Sequence, residues 1–447
     1  FEGTASIINL TTGAEIAVVT VGSNPATARL TPSGNTAIIH NNGGGGSISV
    51  IDMGTASVVR TIATGAVQTT FAVNFEAQGV GFHSTGPALA DESTAVFPDY
   101  SASRLLVINI ATGASTAVPC AANPTGIAIR GTKAYVTHYN TVHVVSVLDI
   151  PTATIAQTFT STADLQGPIA VNGAGTFAAV AVLNSTQILN LTTGSFSANI
   201  GPLSNPNDLI TTADGLRCVV VGFYGTIFDY ETQAVIGSPN QFVSCSVGAV
   251  SPIGTQAAMF SDTFGEDMVI LNTGSATQLS AGPTGPAPEG DKSRVAALTP
   301  DGSKAVVVNQ FSQTATIINT ATNAVLAIVP TGRRPGSAAI TPDGSKAVIA
   351  NRDGTDATVI NLSTFAAASV PISTRGDQVR ISPDSQFAYI AVVASGDGVW
   401  RINLNTLTTQ GGKLATGDMG GYFQGYNSFS GIALSPDGST LITCDSF

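Results

Sequence analysis

Apolar residues in this chain occur in short runs separated by turn-forming residues. Stretches such as SKAVVVN and ATVINL hold four to seven β-branched or small apolar residues bounded by Pro, Asp, Gly and Asn. Runs of this length are typical of buried strands between tight turns and are too short for helices. The pattern therefore predicts an all-β protein.

The pattern repeats along the chain. ALTPDGSKAVVVNQ and AITPDGSKAVIANR place Thr299 and Thr341 42 residues apart. A second signature is an apolar pair, then Asn or Asp, then Thr three residues later, with a shortened copy at Asn272. Its full copies are at Asn9, Asp52, Asn109, Asp149, Asn190, Asp229, Asn319, Asn361 and Asn403. Ten copies in 447 residues give a period near 45, the length of a four-stranded propeller blade.

Both signatures contain turn chemistry. In PDGS, Pro presets φ, Asp bonds nearby backbone and Gly permits positive φ, so this tetrad is predicted to close the first hairpin of each blade. In NLTTG, Gly13 or Gly194 ends a hairpin loop between the third and fourth strands.

AVVVN at 305–309 and AVIAN at 347–351, each after PDGS and before an IIN or VIN strand, resemble YVTN-type β-propeller repeats. The resemblance is best over 294–378 and weakest over 66–100 and 246–292. It implies a propeller fold but not an activity, because such families include surface-layer, periplasmic and lactonase-like proteins. Trp400 is the only Trp, so the WD40 signature is absent.

The sequence predicts one β-propeller over 1–447 with about ten four-stranded antiparallel blades. Eight or nine blades, or two smaller rings, are the alternatives. Residues 430–447 and 1–22 each supply half a repeat, so we expect them to share the last blade, with LITC pairing against ASIINL. Exchange of these half-repeats between molecules is the alternative to closure within one chain.

Charge and hydropathy restrict the partners. The formal net charge is −11, with 17 Lys and Arg against 28 Asp and Glu, so nucleic acid is not expected as a partner. No apolar run reaches the length of about 18 residues that a membrane span needs. Abundant Thr, Ser and Gly with sparse Lys favour an extracellular, cell-surface or periplasmic location.

Function is predicted on the face opposite the PDGS and NxxTG turns. The loops between the second and third strands, such as PDYSAS and THYNTV, lie there, and so do three long insertions, around 66–86, 280–293 and 411–429. Loops on a rigid scaffold often carry binding residues. Aromatic residues in these loops can bind a protein or a glycan, although the insertions could instead fold back as a plug. The predicted binding residues are Phe75, Phe82, His83, Tyr100, Tyr139, Tyr422, Phe423 and Tyr426.

No catalytic residue, metal site or cofactor is predicted. CxxCH, HExxH and GxSxG motifs are missing, and His138 and His143 do not have zinc-ligand spacing. The acidic loops SDTFGED and NRDGTD are interpreted as solvated turns rather than calcium sites. The four Cys are predicted to be buried thiols, with two disulfides as the alternative.

These observations favour a non-catalytic binding or structural protein that presents its variable face to a protein or glycan. A lactonase-like or lyase-like propeller enzyme and a self-assembling subunit that exchanges terminal strands are the alternatives.

Overall fold

The computed structural model describes most of the chain. The described residues are 3–41, 43, 45–64, 88–89, 93–100, 102–139, 142–200, 206–212, 214–222, 226–237, 245–250, 256–261, 267–272, 278–283, 293–322, 324–372, 376–392, 398–414 and 432–445. Within these residues every regular element is a β-strand, and the strands form ten antiparallel sheets.

The sheets are numbered along the chain, and the sheet made from both terminal segments is called the terminal sheet. The terminal sheet contains β1 (Gly3–Asn9), β2 (Glu15–Val21), β38 (Ile432–Leu434) and β39 (Thr440–Asp445). Sheet 1 contains β3 (Pro25–Leu30), β4 (Thr36–Asn41), β5 (Ser47–Asp52) and β6 (Ser57–Ala63). Sheet 2 contains β7 (Ala88–Leu89), β8 (Thr94–Asp99), β9 (Arg104–Asn109) and β10 (Ser115–Pro119). Sheet 3 contains β11 (Pro124–Arg130), β12 (Lys133–His138), β13 (Val144–Asp149) and β14 (Thr154–Thr160).

The remaining sheets follow the same order. Sheet 4 contains β15 (Leu165–Val171), β16 (Phe177–Val182) and β17 (Ser185–Asn190). Sheet 5 contains β18 (Pro206–Thr211), β19 (Arg217–Gly222), β20 (Thr226–Asp229) and β21 (Val235–Gly237). Sheet 6 contains β22 (Cys245–Val250), β23 (Gln256–Ser261), β24 (Asp267–Asn272) and β25 (Gln278–Pro283). Sheet 7 contains β26 (Ser293–Leu298), β27 (Lys304–Asn309), β28 (Thr314–Asn319) and β29 (Val325–Pro330). Sheet 8 contains β30 (Pro335–Ile340), β31 (Lys346–Asn351), β32 (Asp356–Asn361) and β33 (Ala367–Pro371). Sheet 9 contains β34 (Gly376–Ile381), β35 (Phe387–Val392), β36 (Val399–Asn403) and β37 (Thr408–Lys413).

Burial along each sheet explains why the apolar runs are continuous. The second strands β4, β12, β27 and β31 are buried at every position after the first. The fourth strands β6 and β14 instead bury mainly one residue near the end, Ile62 and Phe159. A strand covered on both faces is apolar throughout, whereas an outer strand needs few apolar positions.

Sheet 4 departs from the predicted four strands. Where a fourth strand is expected, the described residues form only isolated bridges, Thr186 with Ile200 and Leu189 with Phe196. The Ser197 hydroxyl accepts the Ile188 amide at 2.9 Å, while the Ser197 amide donates to the Ile188 carbonyl at 2.8 Å. The Ser197 side chain thus replaces a backbone carbonyl as acceptor of the Ile188 amide and interrupts the regular strand pairing.

The terminal sheet has the strand order β2-β1-β39-β38. Ala5 lies opposite Cys444 and Ile7 opposite Ile442, which is the pairing of ASIINL with LITC that the sequence predicted. Ala5, Ile7 and Ile442 are fully buried. The first and last described strands are therefore held together by a backbone ladder and by packing.

The chain divides into two compact units. The first comprises 1–67, 306–317 and 325–447, and the second 68–305 and 318–324. In the first unit, sheets 8 and 9 share a core that includes Val348, Val379 and Ile390. In the second unit, sheets 3 and 4 share one that includes Phe159 and Val180. No helix in the described residues is long and apolar enough to cross a membrane.

Arg401 of β36 links sheet 9 to the terminal sheet and is only 8% exposed. It donates to the Leu10 carbonyl at 2.6 Å and to the Gln410 side chain at 3.2 Å. Its guanidinium also lies 4.9 Å from the Phe387 ring centroid. These contacts tie the end of β1 to its neighbouring sheet.

We expect Arg401→Met to lower the free energy of unfolding by about 2 kcal/mol, because a buried carbonyl loses a charged donor. Gln410→Ala removes only the second bond and should have a smaller effect. Urea denaturation of both variants measures this. Equal stability of Arg401→Met and the wild type would show that the link to Leu10 contributes nothing.

Candidate functional site at the loop ends of the sheets

Each sheet has two different ends. The turn end carries the PDGS-type and NxxTG-type turns. The loop end is opposite and carries the loop between the second and third strands and the segment entering the first strand.

Side chains at the turn ends serve local folding. The Thr341 hydroxyl donates to Asp343 at 2.6 Å and accepts the Lys346 amide at 2.9 Å, while Gly344 has φ of 71°. Ser435 and Asp437 repeat this contact at 2.6 Å. The polar groups of this turn are therefore used within it.

The second turn is equally local. The amides of Thr11 and Thr12 both donate to the Asn9 side chain at 2.9 Å, and Gly13 takes φ of 74°. The same acceptor role recurs at Asp52, Asn109, Asp149, Asn190, Asp229, Asn319, Asn361 and Asn403. The sequence motif is thus repeated at the turn ends because each turn needs the same local hydrogen bonds.

Asp149 provides a pH test of this role. Hydrogen bonds from the Thr152 hydroxyl and amide lower the pKa of Asp149. Because the folded pKa is depressed, the stabilisation is present above the unfolded pKa, about 4, and is lost as the pH falls through the folded value. We expect Asp149→Asn to match the wild type at pH 7 and to lose less stability in acid, whereas Asp149→Ala is destabilised at pH 7. Thermal melts at pH 7 and in acid measure this. An equal loss of stability in acid for Asp149→Asn and the wild type would contradict it.

At the loop ends, the residue that ends the second strand acts as a clamp. The Asn41 amide nitrogen donates to Ser47 and Ser49 at 3.1 and 3.0 Å. The Asn351 amide nitrogen donates to Asp356 and Thr358, both at 3.1 Å. Both Asn side chains are completely buried, so this position belongs to the scaffold.

Other residues fill the clamp position in sheets 2 and 3. His138 bonds Ser146 through Nε2 at 2.8 Å and the Ala122 carbonyl through Nδ1 at 2.9 Å. Burial is the main cause that lowers the pKa of His138. Asp99 accepts Arg104 Nε at 2.8 Å and the Ala102 amide at 3.1 Å. His138 therefore has both ring nitrogens engaged, as expected for a structural histidine.

In sheets 3, 4 and 8 the residue after the clamp differs, while the hydrogen bond of its backbone amide is the same. Tyr139, Leu183 and Arg352 donate their amides to the carbonyls of Asn123, Asp164 and Arg334 at 2.8, 2.9 and 2.9 Å. Each acceptor comes directly before the first strand of its sheet. One backbone anchor thus presents an aromatic, an aliphatic and a cationic side chain. This position is called the presenting position.

Two predicted binding residues lie at presenting positions. Tyr100 in sheet 2 and Tyr139 in sheet 3 are half-buried. Sheets 2 and 3 are neighbours, since a buried cluster that includes Val96 and Val136 joins them. Leu183 in sheet 4 is 50% exposed, and Phe311, one residue after the presenting position of sheet 7, is 54% exposed. Leu183 was not predicted because it is not aromatic. Phe311 was not predicted although it lies, like Tyr100 and Tyr139, in a loop between a second and a third strand.

The other six predicted binding residues lie outside the described residues. They are Phe75, Phe82, His83, Tyr422, Phe423 and Tyr426. The acidic residues Asp262 and Glu266 of SDTFGED also lie outside them.

The other candidate groups for chemistry are a histidine and two cysteines, and none of them forms a site. His143 Nδ1 lies 2.9 Å from the Ala163 carbonyl and 3.4 Å from Asp164. Cys120 and Cys218 are free thiols, and burial together with the charge of Asp99 raises the pKa of Cys120 to about 12. Within the described residues, no group of three or more His, Cys, Asp or Glu is placed so that it could hold a metal ion.

No protein-family model and no curated protein matches the sequence. Among solved structures, a eukaryotic initiation factor aligns at a TM-score of 0.53 and 11% identity, over 92% of this chain and 95% of that one. The computationally designed Ika8 protein gives a TM-score of 0.49 at 11% identity, over 77% of this chain and 99% of that one. Hydrazine synthase from Kuenenia stuttgartiensis gives 0.35 at 18% identity, over 60% of this chain and 92% of that one. At such identities only the first likeness is informative, and it concerns the fold alone.

Proposed function

We propose that this protein is a non-catalytic binding protein that presents the loop ends of its sheets to a glycan or protein partner. The observation that carries the proposal is the presenting position, where one backbone anchor holds Tyr139, Leu183 or Arg352. A requirement of folding alone would favour one side chain there, as it does at the turn ends. Variable side chains on a fixed backbone are typical of binding surfaces.

We propose further that the ten sheets are the blades of one YVTN-type propeller and that the protein acts outside the cell or in the periplasm. The repeated PDGS and NxxTG turns and the sheet made from both terminal segments support this architecture. The Thr- and Ser-rich, Lys-poor composition supports the location.

Tyr100 and Tyr139 are the aromatic anchors of this proposal in the second unit. Aromatic residues at a binding surface contribute through ring contact area, and loss of an anchor costs about 1–3 kcal/mol of binding free energy. We therefore expect Tyr100→Ala or Tyr139→Ala alone to weaken binding by about 5- to 150-fold, and the double variant to weaken it further, with little change in melting temperature.

The measurement is binding of the purified protein to an array of neutral and acidic glycans. Leu216→Ala is the matched control, because Leu216 is 57% exposed at the turn end of sheet 5. Retained binding in the double Tyr variant, or an equal loss in Leu216→Ala, would show that Tyr100 and Tyr139 are not the anchors. Unfolding of the double variant would assign the two Tyr to the core.

A further inference from the structure

The loop end of sheet 8 concentrates positive charge. Arg333 and Arg334 lie in the segment that enters β30 and are exposed, and Arg352 occupies the presenting position and is half-buried. The whole chain has only 17 Lys and Arg and a net charge of −11. Three arginines at one loop end are therefore a local reversal of the charge of the protein. Arg333, Arg334 and Arg352 are called the arginine patch.

Arg334 has a left-handed backbone conformation, and at the residue before the first strand sheets 1 and 3 give this conformation to asparagine. Asn24 in sheet 1 and Asn123 in sheet 3 precede the first strand with φ of 54° and 58°, and Arg334 precedes β30 with φ of 51°. In all three cases the next residue is Pro. Asn tolerates the left-handed region through its short polar side chain, whereas a long side chain there is disfavoured.

The patch is built on a close-packed loop. The Arg352 amide donates to the Arg334 carbonyl at 2.9 Å and the Asp353 amide to the Arg333 carbonyl at 3.2 Å. A Cβ on Gly332 would overlap Asn351 Nδ2 and Asp356 Oδ1, so the two loop segments leave no space between them. The three arginines therefore project from a backbone held in one arrangement.

Two carboxylates accompany the patch and leave it net positive. Asp353 lies 3.3 Å from Arg334 Nη1, and both side chains are partly exposed. Asp356 is used inside the sheet, where it accepts hydrogen bonds from the side-chain nitrogen of Asn351 at 3.1 Å and from the Ser369 hydroxyl at 2.7 Å. Asp353 can orient Arg334 while Arg333 stays exposed beside it.

We propose that the arginine patch binds the carboxylate or sulfate groups of an acidic polysaccharide, an inference that rests on the proposed function. Guanidinium groups bind such oxyanions in a bidentate manner. The loop segments 331–336 and 351–356 contain no aromatic or large aliphatic residue. A protein partner usually buries a well-packed centre in which aromatic residues accompany arginine, and a peptide strand needs a free sheet edge, whereas a polyanion needs neither.

The test uses biolayer interferometry at about 0.15 M salt with immobilised polygalacturonate, dextran sulfate, neutral dextran and polyglutamate. We expect binding to one or both acidic polysaccharides and not to dextran. Arg333→Gln with Arg352→Gln should weaken it by about tenfold or more, since two charged contacts are lost. Arg60→Gln removes an exposed arginine on β6, so it controls for loss of positive charge away from the patch and should retain binding.

Arg334→Asn separates binding from folding. It introduces the residue that sheets 1 and 3 use, so its melting temperature should equal or exceed that of the wild type while polysaccharide binding weakens. Polysaccharide binding that is unchanged in both patch variants, or lost equally in Arg60→Gln, overturns the proposal. Binding to polyglutamate alone, or to none of the polyanions, also overturns it.

Failure of the patch and failure of the proposed function are distinguishable. If the array shows a neutral glycan whose binding depends on Tyr100 and Tyr139 while the polyanions are not bound, the patch proposal fails and the proposed function stands. If substitutions at every loop end leave all binding unchanged, both fail.

Discussion

Deletion of residues 1–22 is expected to destabilise the protein by on the order of 5 kcal/mol or more and to cause aggregation. The deletion removes β1 and β2, including the fully buried Ala5, Ile7 and Ile8. It also leaves β39 with an open edge where six residue pairs from Thr4 with Asp445 to Asn9 with Thr440 had formed the ladder. An exposed edge next to uncovered apolar residues is a template for association.

Thermal melts and light scattering of the truncated protein measure this effect. A synthetic peptide of residues 1–22 should restore part of the stability, because it can pair with β39 as the native strand does. A truncated protein that stays monomeric with an unchanged melting temperature would contradict the terminal sheet. Light scattering of the intact protein over a range of concentrations separates closure within one chain from exchange of terminal strands.

His40 is expected to lower the stability of the protein in mild acid, beginning at a pH higher than that at which carboxylates are protonated. His40 lies in β4 and is 3% exposed, and burial lowers its pKa from 6.5 to about 4. The unfolded chain takes up a proton near pH 6.5, whereas the folded chain does so only near pH 4. Stability therefore falls as the pH drops from 6.5 to 4, by about 3 kcal/mol in total.

The repeats themselves supply the control substitution. Val308 and Ala350 occupy the position of His40 in sheets 7 and 8, directly before the clamp residue. We expect His40→Val to remain folded and to lose about 3 kcal/mol less than the wild type between pH 6.5 and 4. Urea denaturation at pH 7, 5.5 and 4.5 gives the difference. Parallel pH profiles for the two proteins would show that His40 does not contribute.

The fold was predictable where the controlling interactions are local. Asn9 bonds amides two and three residues away, and Thr341 bonds one five residues away, so the turns are visible as short motifs. The terminal sheet was predictable because two half-repeats complement each other. Sheet 4 was not, because the Ser197 hydroxyl interrupts its fourth strand through a contact with Ile188 that no repeat motif specifies.

The candidate site was less predictable, because it depends on equivalence between sheets. Tyr100 and Tyr139 were predicted from their aromatic character, whereas the anchor of Tyr139, its amide on the Asn123 carbonyl, is visible only in the structure. The clamp role of Asn351 was missed because it depends on a contact between distant segments. The Thr358 hydroxyl accepts the side-chain nitrogen of Asn351 and also the backbone amide of Gly332, which lies 26 residues before Thr358. The arginine patch was missed because charge was weighed over the whole chain, where the acidic excess conceals it.

We infer that the side chains at presenting positions bind the partner, whereas the backbone hydrogen bond that holds each position stabilises the fold. The most direct test replaces Tyr100, Tyr139, Leu183 and Arg352 together by Ser and measures glycan-array binding and melting temperature in the same preparation. We predict a melting temperature close to that of the wild type and loss of glycan binding. Retained binding in a folded variant, or loss of folding itself, would contradict the claim.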